Sequence, residues 1–473
     1  MIDTMKPYPE YKESGLPWIG SIPKHWDSLP HRAIFEEIKE QGHVNEPLLS
    51  VTIGRGIIRQ EDLLANSSKK DSSNLDKSKY KLVDPGDIAY NKMRAWQGSV
   101  GVSKYRGIVS PAYIVQRLRG DLKPDYFHYL FRTPGFAKEA ERWSYGITSD
   151  QWSLRPQHFK MIYSCVPPLY EQELIVGFLR KLDRQVLRFI RNRWRLINLL
   201  NEQKQAIINR AVTRGLNADA PLKHSKVDWL GDIPESWTLK RFKYVVSIRS
   251  GQVDPKIAPY RDWVLIAPEH IEKHTGVIRL RETAHEQGAI SGKYQVEPGE
   301  VIYSKIRPAL RKAAIAEEKC LCSADMYPLA PRRSEILPEY LLLLLLYGPA
   351  TRYLIDYSMR VAMPKVNRDA LGNCWLWYPD VDTQREIMQS LKDKLLPLNT
   401  SLDRAQREIN LIREYRTRLI SDVVTGKMDV RHVSPPPVRE DLEEMVESLE
   451  PLNDQPDETD EESMDGEVFH ADD

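Results

Sequence analysis

The sequence contains few cysteines, and they follow no regular spacing. Its 473 residues include four, Cys165, Cys320, Cys322 and Cys374. This number and spacing do not suit a disulfide framework, and one Cys-x-Cys pair without nearby histidines is a poor zinc site. We therefore expect reduced cysteines that serve packing or lie at the surface.

Long apolar runs are also missing. The longest apolar block, from Tyr340 to Tyr347, holds six leucines, whereas a transmembrane helix needs about 20 apolar residues. No early stretch combines a basic start with an apolar run, as a secretory signal would. These absences predict a soluble, cytoplasmic protein.

Recognisable catalytic motifs are absent too. The Pro-Pro pairs at 167–168 and 435–436 lack the asparagine of the Asn-Pro-Pro-aromatic motif that amino-methyltransferases use. No Gly-x-x-x-x-Gly-Lys loop for nucleotide phosphates occurs. His270 and His274 are spaced like a metal-binding pair but lack a suitable acidic third ligand. We predict a non-enzyme with no catalytic residues, metal or cofactor of its own.

The charge is divided unevenly along the chain. The formal net charge is +1, but residues 438–473 contain sixteen acidic residues and the single basic residue Arg439. Such a segment buries too little apolar surface to fold by itself. Without it, the first 437 residues carry a net charge of +16. This basic body suits a polyanionic partner.

Three parts of the sequence occur twice at an offset of about 212 residues. The stretch WIGSIPKHW at 18–26 returns as WLGDIPESW at 229–237, with five of nine positions identical. An acid-Pro-Gly-acid turn and an apolar strand ending in Tyr-x-Lys-x-Arg occupy both 84–94 and 297–307. The repeat predicts two related domains. Four tryptophans of the first part are interpreted as packing anchors: Trp18, Trp26, Trp229 and Trp237.

The third repeated part is a long amphipathic helix. Apolar residues step by four and three from Leu391 to Val423, interrupted by the polar Arg416. The matching stripe from Leu179 to Ala211 is poorer, because seven of its ten positions are apolar and the others are Asp183, Arg193 and Lys204. A glycine follows each segment, as is usual at a helix end. Each helix should span about 44 residues, or about 65 Å. We expect Pro397 to kink the second one.

The two helices have two interpretations. They could be ordinary core helices, but two of this length at the same place in each repeat favour a paired coiled coil. An internal two-fold axis would make them antiparallel and place the globular parts at opposite ends. The predicted fold is therefore α+β, with two pseudo-symmetric globular domains separated by two long antiparallel coiled-coil helices.

Residues 41–80 and 251–295 do not repeat, which suits two domains that bind different ligands in fixed relation. Two unlike half-sites on duplex DNA would be such ligands. Basic, amide and aromatic side chains in loops could contact phosphates and base edges, although solvated loops are often basic without binding DNA. The candidates after the repeated strands are Asn91, Lys92, Arg94, Trp96, Ser304, Lys305, Arg307, Arg311 and Lys312. Tyr145 and Thr148 belong to a further candidate loop, for which an ordinary turn is the alternative.

Together these motifs resemble the specificity subunits of type I restriction-modification systems, the HsdS family. The resemblance extends to about Arg431 and rests on the segments 11–26, 229–237, 84–94, 167–172 and 212–216. It implies a first target-recognition domain at 1–166, a spacer helix at 167–216, a second target-recognition domain at 217–378, a second spacer helix at 379–430 and a disordered acidic tail at 431–473.

The resemblance also implies a function and partners. Each recognition domain would read one half of a split, asymmetric DNA sequence, and the helices would set the unread gap. The partners would be double-stranded DNA, two methyltransferase subunits and the translocating restriction subunits. S-adenosylmethionine, ATP and Mg²⁺ would belong to those partner subunits.

Two alternatives stay open from the sequence. One is a coiled-coil scaffold that binds proteins without recognising DNA. The other is the recognition subunit of a different restriction-methylation enzyme, of type IIB or IIG. For the acidic tail, we expect competition with DNA for the basic body.

Overall fold

The computed structural model describes residues 6–65, 76–146, 152–358 and 365–433. The predictions for Thr148 and for the acidic tail from Ser434 onward lie outside these residues. The contacts divide the chain into two compact units. Unit 1 comprises Met1–Trp194 and Arg407–Asp473, and unit 2 comprises Arg195–Gln406.

Unit 1 is built from short strands and helices that lead into a long helix. Its strands are β1 (Tyr11–Glu13), β2 (Ser21–Pro23), β3 (Asp27–Pro30), β4 (Phe35–Ile38), β5 (Leu49–Thr52), β6 (Gly56–Arg59), β7 (Lys81–Val83), β8 (Ile88–Asn91), β9 (Val100–Val102), β10 (Gly107–Val109), β11 (Tyr113–Leu118) and β12 (Tyr163–Val166). Its helices are α1 (His31–Ile34), α2 (Gln60–Ala65), α3 (Pro124–Phe131), α4 (Pro134–Arg142), α5 (Pro156–Phe159) and the first part of α6 (Leu169–Arg214).

Unit 2 has the same general order of elements. Its strands are β13 (Leu222–His224), β14 (Asp232–Pro234), β15 (Thr238–Arg241), β16 (Val246–Ile248), β17 (Gln252–Val253), β18 (Leu265–Ile266), β19 (Lys293–Val296), β20 (Val301–Ser304), β21 (Ala313–Ile315), β22 (Cys320–Cys322), β23 (Met326–Pro331) and β24 (Trp375–Tyr378). Its helices are α7 (Phe242–Val245), α8 (Pro338–Leu346), α9 (Pro349–Ser358), α10 (Arg368–Asn373), the end of α6 and the first part of α11 (Val381–Val424).

Each unit contains an antiparallel four-stranded sheet with the same strand order. The order is β4-β11-β8-β9 in unit 1 and β16-β23-β20-β21 in unit 2. The repeated acid-Pro-Gly-acid turn precedes β8 and β20, and its glycines, Gly86 and Gly299, adopt positive φ angles of 93° and 80°. This turn needs glycine because side chains with a Cβ rarely adopt such angles. We call this sheet with its turn the shared frame.

The acidic residues of the turn have structural partners. Asp87 accepts the backbone N–H of Asp84 at 2.9 Å and the guanidinium of Arg117 at 2.7 Å. In unit 2, Glu300 accepts the N–H of Glu297 at 3.0 Å and pairs with Arg249. The carboxylates therefore close the turn in both units, as the sequence interpretation of a turn requires.

The long helices pair in antiparallel fashion within each unit. In unit 1, Asp183 of α6 pairs with Arg416 of α11, and Arg193 pairs with Glu408, both at 2.7 Å. Contacts that advance along α6 thus move backwards along α11. In unit 2, Lys204 Nζ donates to Asn399 Oδ1 at 2.9 Å in the same sense. The predicted long helices are confirmed, with 46 residues in α6 and 44 in α11.

In each unit, the C-terminal end of one long helix packs beside a buried tryptophan. In unit 1, Tyr126 Oη donates to the carbonyl of Val424 in α11 at 2.9 Å. In unit 2, Tyr340 Oη donates to the carbonyl of Val212 in α6 at 3.4 Å. Trp26 and Trp237, which are 0% and 4% exposed, lie beside the glycines that follow these helices. Their predicted role as packing anchors is confirmed.

The starts of the two long helices are held differently. Glu171, fully buried in α6, accepts Trp26 Nε1 at 2.5 Å and His25 Nε2 at 2.7 Å. Its counterpart in α11 is Thr383, whose backbone N–H and hydroxyl donate to the carboxylate of Asp380 at 2.9 and 2.7 Å. The repeated glutamine that follows performs one task in both helices. Gln172 accepts the N–H of Lys123 in unit 1, and Gln384 accepts that of Leu337 in unit 2.

The segments that do not repeat fold differently. Unit 1 adds the hairpin β5-β6 followed by α2. In unit 2, the strand pair β19-β22, which matches the pair β7-β10 of unit 1 in register, is extended by β17 and by the parallel strand β18 into a second four-stranded sheet. The mixture of short sheets and helices in two units confirms the α+β prediction.

All four cysteines are free and buried. Burial raises the pKa of the Cys165 thiol to about 11 and those of Cys320 and Cys374 to about 12. These side chains pack as small apolar groups. Among the described residues, none of the helices combines the length and apolar character needed to cross a membrane.

Candidate nucleic-acid interface

The shared frame places an equivalent loop after the central strand of each unit. In unit 1, the carbonyl of Lys92 accepts the N–H of Leu154 at 2.7 Å. In unit 2, the carbonyl of Lys305 accepts the N–H of Val366 at 2.8 Å. The backbone is therefore held in an equivalent way after β8 and after β20, and the side chains decide what each loop can bind.

Two candidate residues of unit 1 shape their own loop. Asn91 Oδ1 accepts the N–H of Met93 at 3.0 Å, and Trp96 Nε1 donates to the Met93 carbonyl at 3.0 Å. The Trp96 ring also meets Trp152 edge to face, with 5.4 Å between ring centroids. These contacts give both residues a structural task in the loop.

An open cleft of about 600 Å³ brings Lys92 and Tyr145 together. Tyr145 is 55% exposed, and its ring packs against His158 at 4.7 Å. Arg155 and Gln157, which are both exposed, line the same cleft. The cleft therefore presents two cations, an amide and an aromatic ring, which are the groups that contact phosphates and base edges.

Lys81 lies next to this cleft, since its Nζ donates to the carbonyl of Pro111, which lines the cleft. The pKa of the half-buried Lys81 is lowered mainly by burial; Glu37 opposes this effect, and the charges of Lys92 and Lys39 add to it. Arg94, half-buried, begins the 3-10 turn Ala95–Gln97 after β8. The sequence prediction omitted Arg155 and Gln157, although their basic and amide types beside Pro156 were a usable signal.

The corresponding side chains of unit 2 are more deeply engaged. Ser304 is 3% exposed, and its hydroxyl donates to the carbonyl of Ile306 at 3.1 Å. Lys305 Nζ donates to the carbonyl of Ala324 and lies 5.5 Å from the centroid of the Tyr327 ring. Such burial and pairing favour a structural role for Ser304 and a partly structural one for Lys305.

The three remaining candidates of unit 2 surround a 3-10 turn, Pro308–Leu310. Arg307 and Arg311 flank the turn, and both have a φ of 47°. Arg307 is exposed, whereas Arg311 and Lys312 are half-buried. Burial lowers the pKa of Lys312, and the charges of Lys273 and Arg307 lower it further against the opposite effect of Glu269. The structure thus brings Arg307 and Lys312 together with Lys273, which the sequence prediction omitted.

The paired histidines do not form a metal site in the described residues. His270 is buried, and its Nδ1 lies 3.2 Å from the backbone nitrogen of Ala267. Within the ranges that the structure describes, no three His, Cys, Asp or Glu side chains come together as metal ligands.

Comparison with known proteins gives consistent similarities. Residues 234–409 match the family described as the type I restriction modification DNA specificity domain. The type I restriction enzyme EcoDI specificity subunit of Escherichia coli is 27% identical over 334 residues, covering 67% of this chain and 72% of that protein. The MjaVIII specificity subunit of Methanocaldococcus jannaschii is 20% identical over 369 residues, covering 75% and 81%.

A solved structure shares the fold. It comes from work on complex assembly and conformational transition of the type I R-M system. Its chain superposes with a TM-score of 0.61 at 14% sequence identity, covering 85% of this chain and 98% of its own length. Similarity at this identity establishes a common fold.

Proposed function

We propose that this chain is a type I restriction-modification specificity subunit, as its similarities favour, and that its two units read the two halves of a split, asymmetric DNA sequence. The observation that carries the proposal is the combination of one frame with two different additions. The order of the four-stranded frame sheet is the same in both units, but unit 1 adds the hairpin β5-β6, and unit 2 adds β17 and β18 to the strand pair that both units share. Because the frame is shared and the additional strands differ, the two units are suited to bind two different half-sites.

Unit 1 would contact its half-site through the cleft that contains Lys92, Tyr145 and Arg155. The two cations would bind phosphates and supply the salt-dependent part of the affinity. Tyr145 and Gln157 would face base edges, where an amide pairs well with adenine. The contacts of Asn91 and Trp96 within the loop would hold this surface in shape.

The repeated frame also supports two identical protein partners. Similar surfaces in both units would bind two copies of a methyltransferase subunit, and restriction subunits would join this assembly. We propose that the chain itself is non-catalytic. S-adenosylmethionine would bind the methyltransferase subunits, and ATP with Mg²⁺ would serve the restriction subunits.

The paired helices would set the number of unread base pairs between the half-sites. Support comes from the polar contacts that fix the register, Asp183 with Arg416 and Arg193 with Glu408. Similarity to type I specificity subunits favours this function over a protein-binding scaffold without DNA recognition.

The first test is purification of the tagged full-length chain from its own host, with mass spectrometry of the proteins that accompany it. We expect two methyltransferase chains per copy of this chain. Purification alone, or with partners that include no methyltransferase, would contradict the proposal.

A second experiment tests separate reading of the two half-sites. Residues 41–160 are exchanged for the corresponding region of a relative, and methylated adenines are mapped across the host genome. We expect one half of the methylated sequence to change while the other half is kept. A change in both halves would refute the assignment of one half-site to each unit.

A further inference from the structure

Four non-glycine residues in the described ranges adopt a positive φ: Lys226 (59°), His274 (64°), Arg307 (47°) and Arg311 (47°). Side chains with a Cβ are strained in this conformation, which persists where the surrounding structure or a function requires it. All four belong to unit 2 and are lysine, histidine or arginine. Both the location and the residue types therefore need an explanation.

Arg311 occupies a position that glycine fills in unit 1. After β8, the 3-10 turn Ala95–Gln97 is followed by Gly98 with a φ of 92°. After β20, the equivalent turn Pro308–Leu310 is followed by Arg311. Glycine adopts a left-handed conformation without steric conflict, whereas arginine does not. An arginine here is unfavourable for the backbone alone.

Three of the four strained residues, His274, Arg307 and Arg311, lie in a group of positive charges. The charges of Arg311 and Lys273 both act on the ring of His274, lowering a pKa that is depressed first of all by burial. Arg307 and Lys273 act on Lys312 in the same way. We call this group the unit-2 cationic patch: Lys273, His274, Arg307, Arg311 and Lys312.

The hydrogen bonds of the patch are incomplete. Arg311 Nε and His274 Nδ1 are buried without a hydrogen-bond partner among the residues that the structure describes. Arg311 Nη1 makes a long bond of 3.4 Å to the carbonyl of Leu346, the last residue of α8. Lys312, in contrast, is firmly held because its Nζ donates to the Pro268 carbonyl at 2.6 Å. Unpartnered buried polar atoms are costly and usually have a reason.

We propose that the unit-2 cationic patch binds the phosphate backbone of double-stranded DNA, with Arg311 and the exposed Arg307 as its main contacts. The proposal rests on the proposed function and assigns the surface through which unit 2 performs it. Four cations act together here, and Glu269 is the one carboxylate that acts on Lys312. A duplex is the polyanion that compensates such a collection of like charges.

The alternative is a structural role in which Arg311 caps the carbonyl end of α8. The substitution R311G separates the two roles, because glycine relieves the backbone strain and removes the charge together. If Arg311 binds DNA, R311G keeps or raises the thermal midpoint and weakens DNA binding. If it is a structural cap, R311G lowers the thermal midpoint.

The experiment uses the full-length chain in the complex in which it purifies, with a fluorescent duplex of mixed sequence as the probe. Affinity and its salt dependence are measured for wild type, R311G and R311K. We expect R311G to bind roughly tenfold more weakly at low salt and to reduce the slope of log affinity against log salt by about one. R311K should recover most of the slope because it keeps the charge.

K226G is the matched control. Lys226 has the same backbone strain and is exposed, but it lies in the turn after β13, outside the patch. Its counterpart in unit 1 is Gly15, with a φ of 72°. K226G should match R311G in stability while binding the duplex as wild type does.

The outcomes are distinct. Wild-type affinity in R311G, or a loss of stability in that variant, would overturn the assignment of the patch while leaving the proposed function intact. If the wild-type complex shows no salt-dependent binding to the duplex, both the assignment of the patch and the proposed function would be overturned.

Discussion

Asp183 and Arg416 are polar members of the heptad stripes of α6 and α11, and they face each other. Arg416 Nε donates to Asp183 Oδ1 at 2.7 Å, and Tyr129 Oη donates to Asp183 Oδ2 at 2.8 Å. Leu179, Val186 and Ile190 on the same stripe of α6 are buried. These two polar members of the heptad stripes therefore act as a matched pair that fixes helix register.

We expect D183A to destabilise unit 1 by about 1–2 kcal/mol, since it leaves Arg416 and Tyr129 without their shared acceptor. The double variant D183L/R416L should recover part of this loss because apolar residues suit the seam. Urea denaturation measures both. The exposed pair Arg385–Asp382 provides the control, R385A, which should change the midpoint little. A double variant that is less stable than D183A in urea would contradict the matched-pair interpretation.

Alanine substitutions of glycines with a positive φ should lower the stability by amounts that depend on how closely neighbouring atoms approach. Gly426 has a φ of 76°, and an added Cβ would lie 2.8 Å from Pro23 Cγ and 3.1 Å from Trp26 Cζ3. A Cβ added at Gly215 would lie 3.2 Å from Trp237 Cζ2, and a Cβ added at Gly251 would have no atom within 4 Å. We expect G251A to cost about 1–2 kcal/mol from backbone strain alone. Thermal midpoints should fall furthest for G426A, less for G215A and least for G251A. Equal losses would mean that the rings do not close tightly on the helix ends.

The stability of unit 1 should fall on mild acidification because of His31. This fully buried imidazole has its pKa lowered to about 3 from 6.5 by burial, and its Nε2 lies 2.8 Å from Ser164 Oγ. Below pH 6.5 the imidazole of His31 binds a proton in the unfolded chain but not in the folded chain. The contribution of His31 to the free energy of unfolding is therefore complete above pH 6.5 and declines as the pH falls. At about pH 5 the loss is about 2 kcal/mol. The pKa of the half-buried His128 is also lowered, mainly by burial, so this residue acts in the same direction.

The measurement compares urea midpoints between about pH 7.5 and about pH 5. The variant H31F should show a smaller change than wild type, even though it loses the contact with Ser164. H432Q alters an exposed side chain and serves as the control. A pH dependence in H31F as steep as that of wild type would exclude His31 as its source.

The unit 1 cleft can be tested by removing its two cations. We expect K92A and R155A each to weaken binding to a duplex of mixed sequence and to reduce the salt slope by about one. K12A, on an exposed residue of β1, is the control for a general loss of positive charge. Wild-type binding in K92A/R155A would remove the cleft from the DNA interface.

The helix pair can be lengthened without disturbing its register. One heptad inserted after Trp194 and another after Gln406 adds about 10 Å to both helices, equivalent to about three base pairs at 3.4 Å each. Methylation mapping should reveal a gap longer by that amount between unchanged half-sites. Insertion into one helix alone should disrupt the pairing and serves as the control. An unchanged gap in the doubly lengthened chain would mean that the helices do not set the spacing.

Much of the shared frame could be predicted from the sequence because its constraints are local. The acid-Pro-Gly-acid turn needs glycine at a positive φ, and the tryptophans need a buried position beside a helix end. Heptad spacing likewise shows one face of a helix directly. These features repeat, so each half supports the interpretation of the other.

The candidate sites were less accessible to sequence reasoning because they depend on contacts between distant segments. Lys273 and Arg307 act on Lys312 only after the non-repeated segment has folded against the frame. Arg155 reaches the cleft of Lys92 because Leu154 binds the backbone there. One signal was available: aligning Gly98 with Arg311 reveals an arginine where the backbone favours glycine.

The division of the chain has a consequence for the order in which the protein is made. Unit 2 is continuous, whereas unit 1 combines residues before 195 with residues from 407 onward. Lys6 forms a β-bridge with Asp429, and Arg431 lies 3.4 Å from the buried carboxylate of Glu171. During translation, the ribosome produces most of unit 1 first but supplies its closing segment last. Unit 2 can therefore complete its core while unit 1 still waits for residues 407–433, so a truncated chain would display one finished unit and one open one.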